Sequence, residues 1–179
     1  MLKYYDVAVV FGGISNEHEG SVITGTMACN VLKKAGKSVL PVYLTRTGEM
    51  RADENLADIS LYKSGDFSSF PVASVCNGGI VTFNKKGKPK GGVIAIGCAL
   101  NCCHGGAGEG GGVAGLFGIN NIPFASAGLF ESAAFIDKYY TKLILQSLGV
   151  NVAKYRYSRD ISGAIESAKE LGYPVIFKP

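Results

Sequence analysis

The chain has 179 residues, of which 47% are hydrophobic and 18% charged, and its net charge is +4. This composition excludes a disordered chain, and the length suits one domain or slightly more than one. The charge does not favour a nucleic-acid partner, because the densest lysine cluster, residues 85–90, also contains Gly87 and Pro89 and is typical of a solvated turn.

Five cysteines without a secretory leader favour reduced thiols in a cytoplasmic protein. The apolar run near the amino terminus is too short for a signal sequence or a membrane span, so no membrane partner is expected.

The first elements predict a β-α-β unit. Residues 6–11 form an apolar, β-branched run that predicts a buried parallel strand, stopped by two glycines. Apolar positions recur at helical spacing over residues 21–35, and Gly36 closes this helix. A second strand is predicted over residues 38–45, which places the intervening loop at the carboxyl end of the first strand.

The region 46–90 is less regular, and its place in the sheet stays open. An Asn-Gly-Gly sequence between two short apolar runs predicts a hairpin with strands over 71–75 and 80–83. Three further elements are predicted: a buried strand over 92–97, a short helix near 112–118 and a strand over 122–126.

The last part of the chain predicts a helix over 129–148, a strand over 152–158, a helix over 161–172 and a strand over 173–179. A final strand with no partner after it is not a finished domain. We therefore interpret residues 1–126 as a three-layer α/β domain with an open, mostly parallel sheet, and residues 127–179 as the start of a second domain that has been cut off.

The stretch 98–115 combines cysteines, one histidine and many glycines. Gly106, Gly108 and Gly111 match the dinucleotide fingerprint, but that motif belongs directly after the first strand, which disfavours NAD binding. The cysteines lack the paired C-x-x-C spacing of a zinc site, and two adjacent cysteines face opposite sides of an extended chain. Buried packing is favoured over a metal site, and a nucleophilic cysteine–histidine pair stays open.

Two polar loops follow predicted strands and point to a binding crevice, because ligands of α/β sheets bind at the carboxyl ends of strands. The first loop carries Ser15 and Glu17, and the second carries His104 and Glu109. A carboxylate at Glu17 suits a ligand ammonium, and backbone N–H groups suit a carboxylate, so the loops fit a small zwitterion. Alternatively, Glu17 only complements the dipole of the following helix.

Two lysines of the last segment differ in their expected roles. Lys178 ends an apolar strand, where a cation is well placed to meet phosphate. Lys138 lies on a helix, where solvation is the default.

Five stretches in this order resemble the D-alanine:D-alanine ligases of the ATP-grasp superfamily, and together they cover nearly the whole chain except about 46–90. The first is the Ser-x-Glu-x-Glu opening within 7–21, and the second is the His-Gly-x-x-Gly-Glu stretch at 104–111. The other three are the stretch at 121–128, the Asp-Lys helix within 136–150 and the stretch at 171–179.

The resemblance implies a Rossmann-like, pre-ATP-grasp N-terminal domain, followed by the beginning of an α+β ATP-grasp domain. It implies that ATP phosphorylates the carboxylate of one D-alanine, and that the amine of a second D-alanine attacks the acyl phosphate to give a peptidoglycan precursor. ATP and Mg²⁺ are the cofactors of the whole family enzyme, with no metal ligand assigned in this chain and neither cofactor expected to be bound by this chain alone. A homodimer formed through the N-terminal domain is also implied.

The family roles carry over by position. The resemblance implies that Glu17 binds the ammonium of the first D-alanine, that His104 acts in the same subsite, that Ser15 and Glu109 shape this subsite, and that Lys138 and Lys178 contact the phosphates of ATP.

Some positions depart from the family pattern. Gly110 stands where the family usually has Asp or Asn, and Ala125 where glycine is common. The remaining ATP site and the magnesium carboxylates come later in family members, so this chain alone is expected to be inactive. A non-catalytic binding or assembly module with the same fold, and an ATP-grasp ligase for another amino acid, stay open.

Overall fold

The computed structural model describes residues 3–178. Its internal contacts divide the chain into two compact units, with the division between Ile136 and Asp137. The boundary expected after residue 126 lies before the last helix of the first unit. The elements of the first unit are β1 (Tyr4–Gly12), α1 (His18–Lys34), β2 (Val39–Leu44), β3 (Met50–Ala52), β4 (Val72–Cys76), β5 (Gly79–Phe83), β6 (Ile94–Asn101), α2 (Val113–Ile119), β7 (Phe124–Ala125) and α3 (Leu129–Ile136).

The strands of the first unit close into a ring. β1 lies parallel between β2 and β6, while β3, β4 and β5 run antiparallel from β2 back to β6. The short β7 adds to β6 outside this ring, in parallel. The expected α/β class is confirmed, whereas the expectation of an open, mostly parallel, Rossmann-like sheet is wrong.

The ring closes because residues 46–90, which the sequence left unplaced, supply three antiparallel strands. They connect the outer edge of β2 to that of β6, so an edge that would have stayed open is paired. The strands of the ring and helix α2 share one hydrophobic core. Every strand of the ring contributes to this core, through Ala8, Val10, Leu40, Val42, Ala52, Ala73, Ile80, Ile96 and Ala99.

The predicted hairpin is confirmed. Cys76 pairs with Gly79, which leaves Asn77 and Gly78 as a two-residue turn. Gly78 adopts a φ of 75°, a conformation that glycine reaches at little cost.

The side chains on the two faces of β1 pack into two different hydrophobic cores. Ala8 and Val10 point into the ring, whereas Val9 and Phe11 pack under α1 with Val22 and Cys29. This alternation follows from the period of two in a strand. Helix α1 lies so close to β1 that a Cβ atom on Gly25 would be 2.2 Å from Cγ of Phe11. Glycine at this position therefore permits the contact.

The second unit contains α4 (Lys138–Ser147) and α5 (Ile161–Leu171). The single helix expected over 129–148 is two helices, because Asp137 has extended backbone angles and its carboxylate accepts hydrogen bonds from the backbone N–H groups of Tyr139 and Tyr140. Aspartate is a strong helix cap, so it starts α4 here. The last predicted helix is confirmed, and Gly172 follows its end with a φ of 79°.

The strands expected over 152–158 and 173–179 are wrong for the residues that the structure describes. Residues 152–158 and 173–178 are in no strand, and Pro179 lies outside the described residues. A strand needs a neighbour for its backbone N–H and C=O groups, and no described strand pairs with either segment.

Candidate functional site

Two loops meet where β1 and β6 end, and a buried serine joins them. Ser21 on α1 has no exposed surface. Its hydroxyl accepts a hydrogen bond of 2.7 Å from the N–H of Gly12 and donates one of 2.8 Å to the carbonyl of Cys102. The loop after β1 and the loop after β6 are thus held to the same helix.

The glycine-rich loop after β6 packs on the first loop through bare backbone. Gly105 and Gly106 have φ values of 67° and 58°. A Cβ atom on Gly105 would lie 2.5 Å from Oγ of Ser15, and one on Gly106 would lie 2.7 Å from the carbonyl oxygen of Ile14. These two glycines therefore permit a close contact between loops, which accounts for them without a dinucleotide.

The loops border an open crevice of about 510 Å³. It holds one anionic and one cationic side chain, Glu17 and Arg46, so its charges suit a small zwitterion. Its lining residues are Ile14, Ser15, Asn16, Glu17, Arg46, Gly105 and Gly106.

Glu17 directly precedes α1 but makes no side-chain capping hydrogen bond. Its carboxylate is exposed and lines the crevice instead. The carboxylate at the start of α1 also complements the helix dipole, and without a capping hydrogen bond it can face a ligand. Ser15 shapes this loop, because its Oγ accepts a 3.0 Å hydrogen bond from the N–H of Glu17.

Arg46 is the site residue that sequence reasoning missed. It pairs with Glu19 at the rim of the crevice, and this hydrogen bond lowers the pKa of the Glu19 carboxyl. The sequence did carry a signal for it, because Arg46 directly follows the strand predicted over 38–45. β2 runs parallel to β1, with Leu44 opposite Gly12, so residues after both strands reach the same edge.

His104 is held against α1 and is not among the residues that line the crevice. Its Nε2 lies 3.0 Å from Oγ1 of Thr24, whose hydroxyl donates to the carbonyl of Gly20 at 3.0 Å. A hydroxyl has a single hydrogen to donate, so Nε2 of His104 is the donor to Thr24.

Glu109 organises the glycine-rich loop. One of its carboxylate oxygens accepts a 2.5 Å hydrogen bond from the N–H of Gly105. Asn101 adds two contacts, since its amide donates to the carbonyl of Gly108 and accepts from the N–H of Cys103, both at 3.0 Å. The loop that faces Ser15 is thus fixed at several points.

The two predicted phosphate-binding lysines lie in the second unit. Lys138 is the first residue of α4, and Lys178 lies in the irregular segment after α5. Both are exposed, and ammonium groups suit the charge of phosphate. Across residues 3–178 no group of three or more His, Cys, Asp or Glu side chains could hold a metal ion.

The cysteines of the glycine-rich stretch are packing residues. Cys102 and Cys103 are both buried, and they contribute to opposite cores, as expected for adjacent residues of an extended segment. All five cysteines are free thiols. No helix in the described part of the chain has the length and apolar character needed to cross a membrane.

Comparisons with known proteins match most of the chain to one family. A sequence model of the family "D-ala D-ala ligase N-terminus" matches residues 6–127. The chain is 33% identical over 174 residues to D-alanine–D-alanine ligase of Sulfurovum sp., covering 97% of the chain and 48% of that enzyme. It is 30% identical over 184 residues to the enzyme of Thermosipho melanesiensis, covering 97% and 49%.

A solved structure gives the same result. The D-alanine-D-alanine ligase from Helicobacter pylori superposes with a TM-score of 0.71 at 25% identity, covering 87% of this chain and 45% of that one. The chain spans about half the length of the relatives it matches. From the match over residues 6–127 and these relatives, the chain belongs to the D-alanine–D-alanine ligase family.

Proposed function

We propose that this chain forms the amino-acid-binding half of an ATP-dependent ligase that joins two molecules of D-alanine. In this reaction the carboxylate of the first D-alanine takes the terminal phosphoryl group of ATP, which leaves as ADP. The amine of the second D-alanine then attacks the acyl phosphate, the peptide bond forms and inorganic phosphate leaves. The product would serve peptidoglycan synthesis.

The observation that carries the proposal is the Glu17 carboxylate, which makes no side-chain capping hydrogen bond and lines the same crevice as the cationic Arg46. A carboxylate and an ammonium form a charge-assisted hydrogen bond, which is about twice as strong as a neutral one. Glu17 would therefore bind the ammonium of the first D-alanine.

The remaining residues of the first unit support this subsite. Ser15 sets the backbone at Glu17, and Glu109 fixes the glycine-rich loop at Gly105. His104 is fastened to α1 by Thr24 and would border the subsite rather than form its wall.

ATP supplies the phosphoryl group, and Lys138 and Lys178 would hold its phosphates by charge. Magnesium is part of the family's chemistry, and the described residues offer no ligand cluster for it. In this proposal residues 1–126 are the substrate-side domain and residues 127–179 begin the ATP-grasp domain. A cytoplasmic location fits the five free thiols.

D-alanine binding tests the proposal. Calorimetry on the chain should detect D-alanine and a weaker response to L-alanine. Glu17→Gln keeps the shape but removes the charge, and we expect the Kd to rise by about tenfold or more. Glu166→Gln, an exposed position on α5, is the matched control and should leave binding unchanged.

Activity is tested separately. With ATP, Mg²⁺ and D-alanine, residues 1–179 alone should form no D-alanyl-D-alanine, because the chain spans only half of its relatives. Product formation would contradict this part of the proposal. If the chain binds no D-alanine, a non-catalytic assembly module is favoured instead. Sedimentation would test the expected homodimer.

A further inference from the structure

A buried histidine ties the first loop of the site to the aromatic core. His18 is only 4% exposed. Its Nδ1 lies 2.7 Å from the carbonyl oxygen of Gly13, and its Nε2 lies 3.0 Å from the hydroxyl of Tyr43. A carbonyl oxygen can only accept, so Nδ1 carries the hydrogen, and in the neutral ring Nε2 accepts from Tyr43.

These contacts fasten the residue from which the loop begins. Gly13 has a φ of 99°, a conformation that few other residues adopt. Its N–H donates to the carbonyl of Leu44 at 2.7 Å, and its own carbonyl accepts from His18. Both backbone groups of Gly13 are therefore held, and the chain leaves it directly toward Ser15 and Glu17.

Tyr43 is a rigid anchor for this contact. Its ring is 3% exposed and lies between other aromatic rings, with centroid distances of 4.5 Å to Phe67 and 5.0 Å to Tyr62. Burial raises the pKa of Tyr43, so its hydroxyl keeps the hydrogen that it donates to His18.

We propose that His18 and Tyr43 form a latch that holds residues 13–17 in the conformation that binds the amino acid. Neither side chain lines the crevice, so both are positioning residues and act through Gly13. As a statement about amino-acid binding, the latch rests on the proposed function; as a statement about loop order, it stands on the geometry alone.

Two tyrosine variants separate the latch from ordinary packing. Tyr43→Phe removes the hydroxyl that meets His18. Tyr62→Phe removes a hydroxyl from the same aromatic cluster, but one that donates to the carbonyl of Leu56 at 2.9 Å, away from the loop. Both variants keep their rings, so both should fold, and urea unfolding checks this.

Hydrogen exchange of the amides of residues 13–17 reads out loop order. In Tyr43→Phe we expect exchange about five- to tenfold faster than in the wild type, as the loss of one hydrogen bond implies. In Tyr62→Phe, loop exchange should stay at the wild-type rate. Equal exchange in both variants would overturn the latch.

Two histidine variants test which contact matters. His18→Asn places an amide donor where Nδ1 lies and can keep the bond to Gly13, whereas His18→Gln places its amide nearer to Nε2. Loop protection should therefore be retained better in His18→Asn than in His18→Gln, and the reverse order would contradict the proposal. Nitrogen NMR of His18 should show the hydrogen on Nδ1 in the neutral ring, and finding it on Nε2 would also overturn the latch.

D-alanine calorimetry completes the test. Tyr43→Phe should weaken D-alanine binding by about the same factor as it speeds loop exchange, with Tyr62→Phe unchanged. If the wild type binds no D-alanine but Tyr43→Phe still loosens the loop, the proposed function fails and the latch stands. If D-alanine binds normally and the loop stays ordered in Tyr43→Phe, the latch alone fails.

Discussion

The hydroxyl of Ser21 donates a 2.8 Å hydrogen bond to the carbonyl oxygen of Cys102, a residue 81 positions away in the sequence. Oγ of Ser21 also accepts a 2.7 Å hydrogen bond from the N–H of Gly12. One small side chain thus joins the ends of two neighbouring parallel strands to α1.

Replacing this serine should destabilise the first unit. Ser21→Ala leaves a buried N–H and a buried carbonyl without partners, and each such group costs about 1 to 3 kcal/mol. We expect the free energy of unfolding to fall by about 2 to 4 kcal/mol in urea titrations. Ser64→Ala, at an exposed serine, is the control and should change it by less than about 0.5 kcal/mol. A similar effect of both variants would show that the buried bridge contributes nothing special.

The contact between α1 and β1 can be tested with two glycines of one helix. Gly25→Ala would place a methyl group 2.2 Å from Cγ of Phe11, and the forced repacking should cost about 1 to 3 kcal/mol or more. Gly20→Ala meets no atom within 4 Å, and alanine favours a helix, so this control should stabilise by up to about 1 kcal/mol. Thermal unfolding of the two variants measures the sign of each change in stability. A Gly25→Ala variant as stable as the wild type would contradict the close packing.

The close approach of the two loops makes a separate prediction. Gly105→Ala forces a residue with φ of 67° to carry a Cβ atom 2.5 Å from Oγ of Ser15. Gly36→Ala has a comparable φ of 77° but open space around it. Both should lose about 1 kcal/mol of stability from backbone strain, while only Gly105→Ala should weaken D-alanine binding. Calorimetry on both variants decides this, and equal binding would mean that the loop contact does not shape the crevice.

The buried thiols should be inert, with a defined pH dependence. Burial raises the pKa of Cys103 to about 12 and that of Cys29 to about 12, from an ordinary value of 9.0. At pH 8 the thiolate is therefore scarce in the folded protein, and iodoacetamide should label these two cysteines far more slowly than it does in urea. Mass spectrometry of peptides measures this, and fast labelling of the folded chain would contradict it.

The same shift links stability to pH. Between about pH 9 and 12 the folded state keeps the thiol protons that the unfolded state loses, so the free energy of unfolding should fall as the pH rises through this range. Cys29→Ala should reduce the slope of this fall. A slope that does not change in the variant would show that this thiol is not responsible.

Much of the local structure could be predicted from the sequence. Apolar runs, helical spacing and glycine positions predicted β1, α1 and the hairpin at Asn77 and Gly78, because these signals depend on neighbours within a few residues. The sequence also carries a signal for the start of α4, because aspartate at position 137 favours a helix N-cap. One longer helix over 129–148 was predicted instead. The polar residues Ser15 and Glu17 were correctly placed in a loop after the first strand.

The closure of the ring could not be predicted in this way. It depends on three short antiparallel strands from residues 46–90, and on a β3–β4 pairing that joins Arg51 to Val72 across a long connection. Such pairings are set by the packing of distant segments, and short strands carry little periodic signal of their own.

By itself, the sequence determined the family, the β-α-β unit at the start of the chain, the hairpin of β4 and β5, and the loop that carries Glu17. Only the tertiary structure brought Arg46 into the crevice, placed Ser21 between two loops and set His18 between Gly13 and Tyr43. The reason is physical: hydrogen-bond partners and charges in the site come from separate strands, and their distances exist only once the ring has closed.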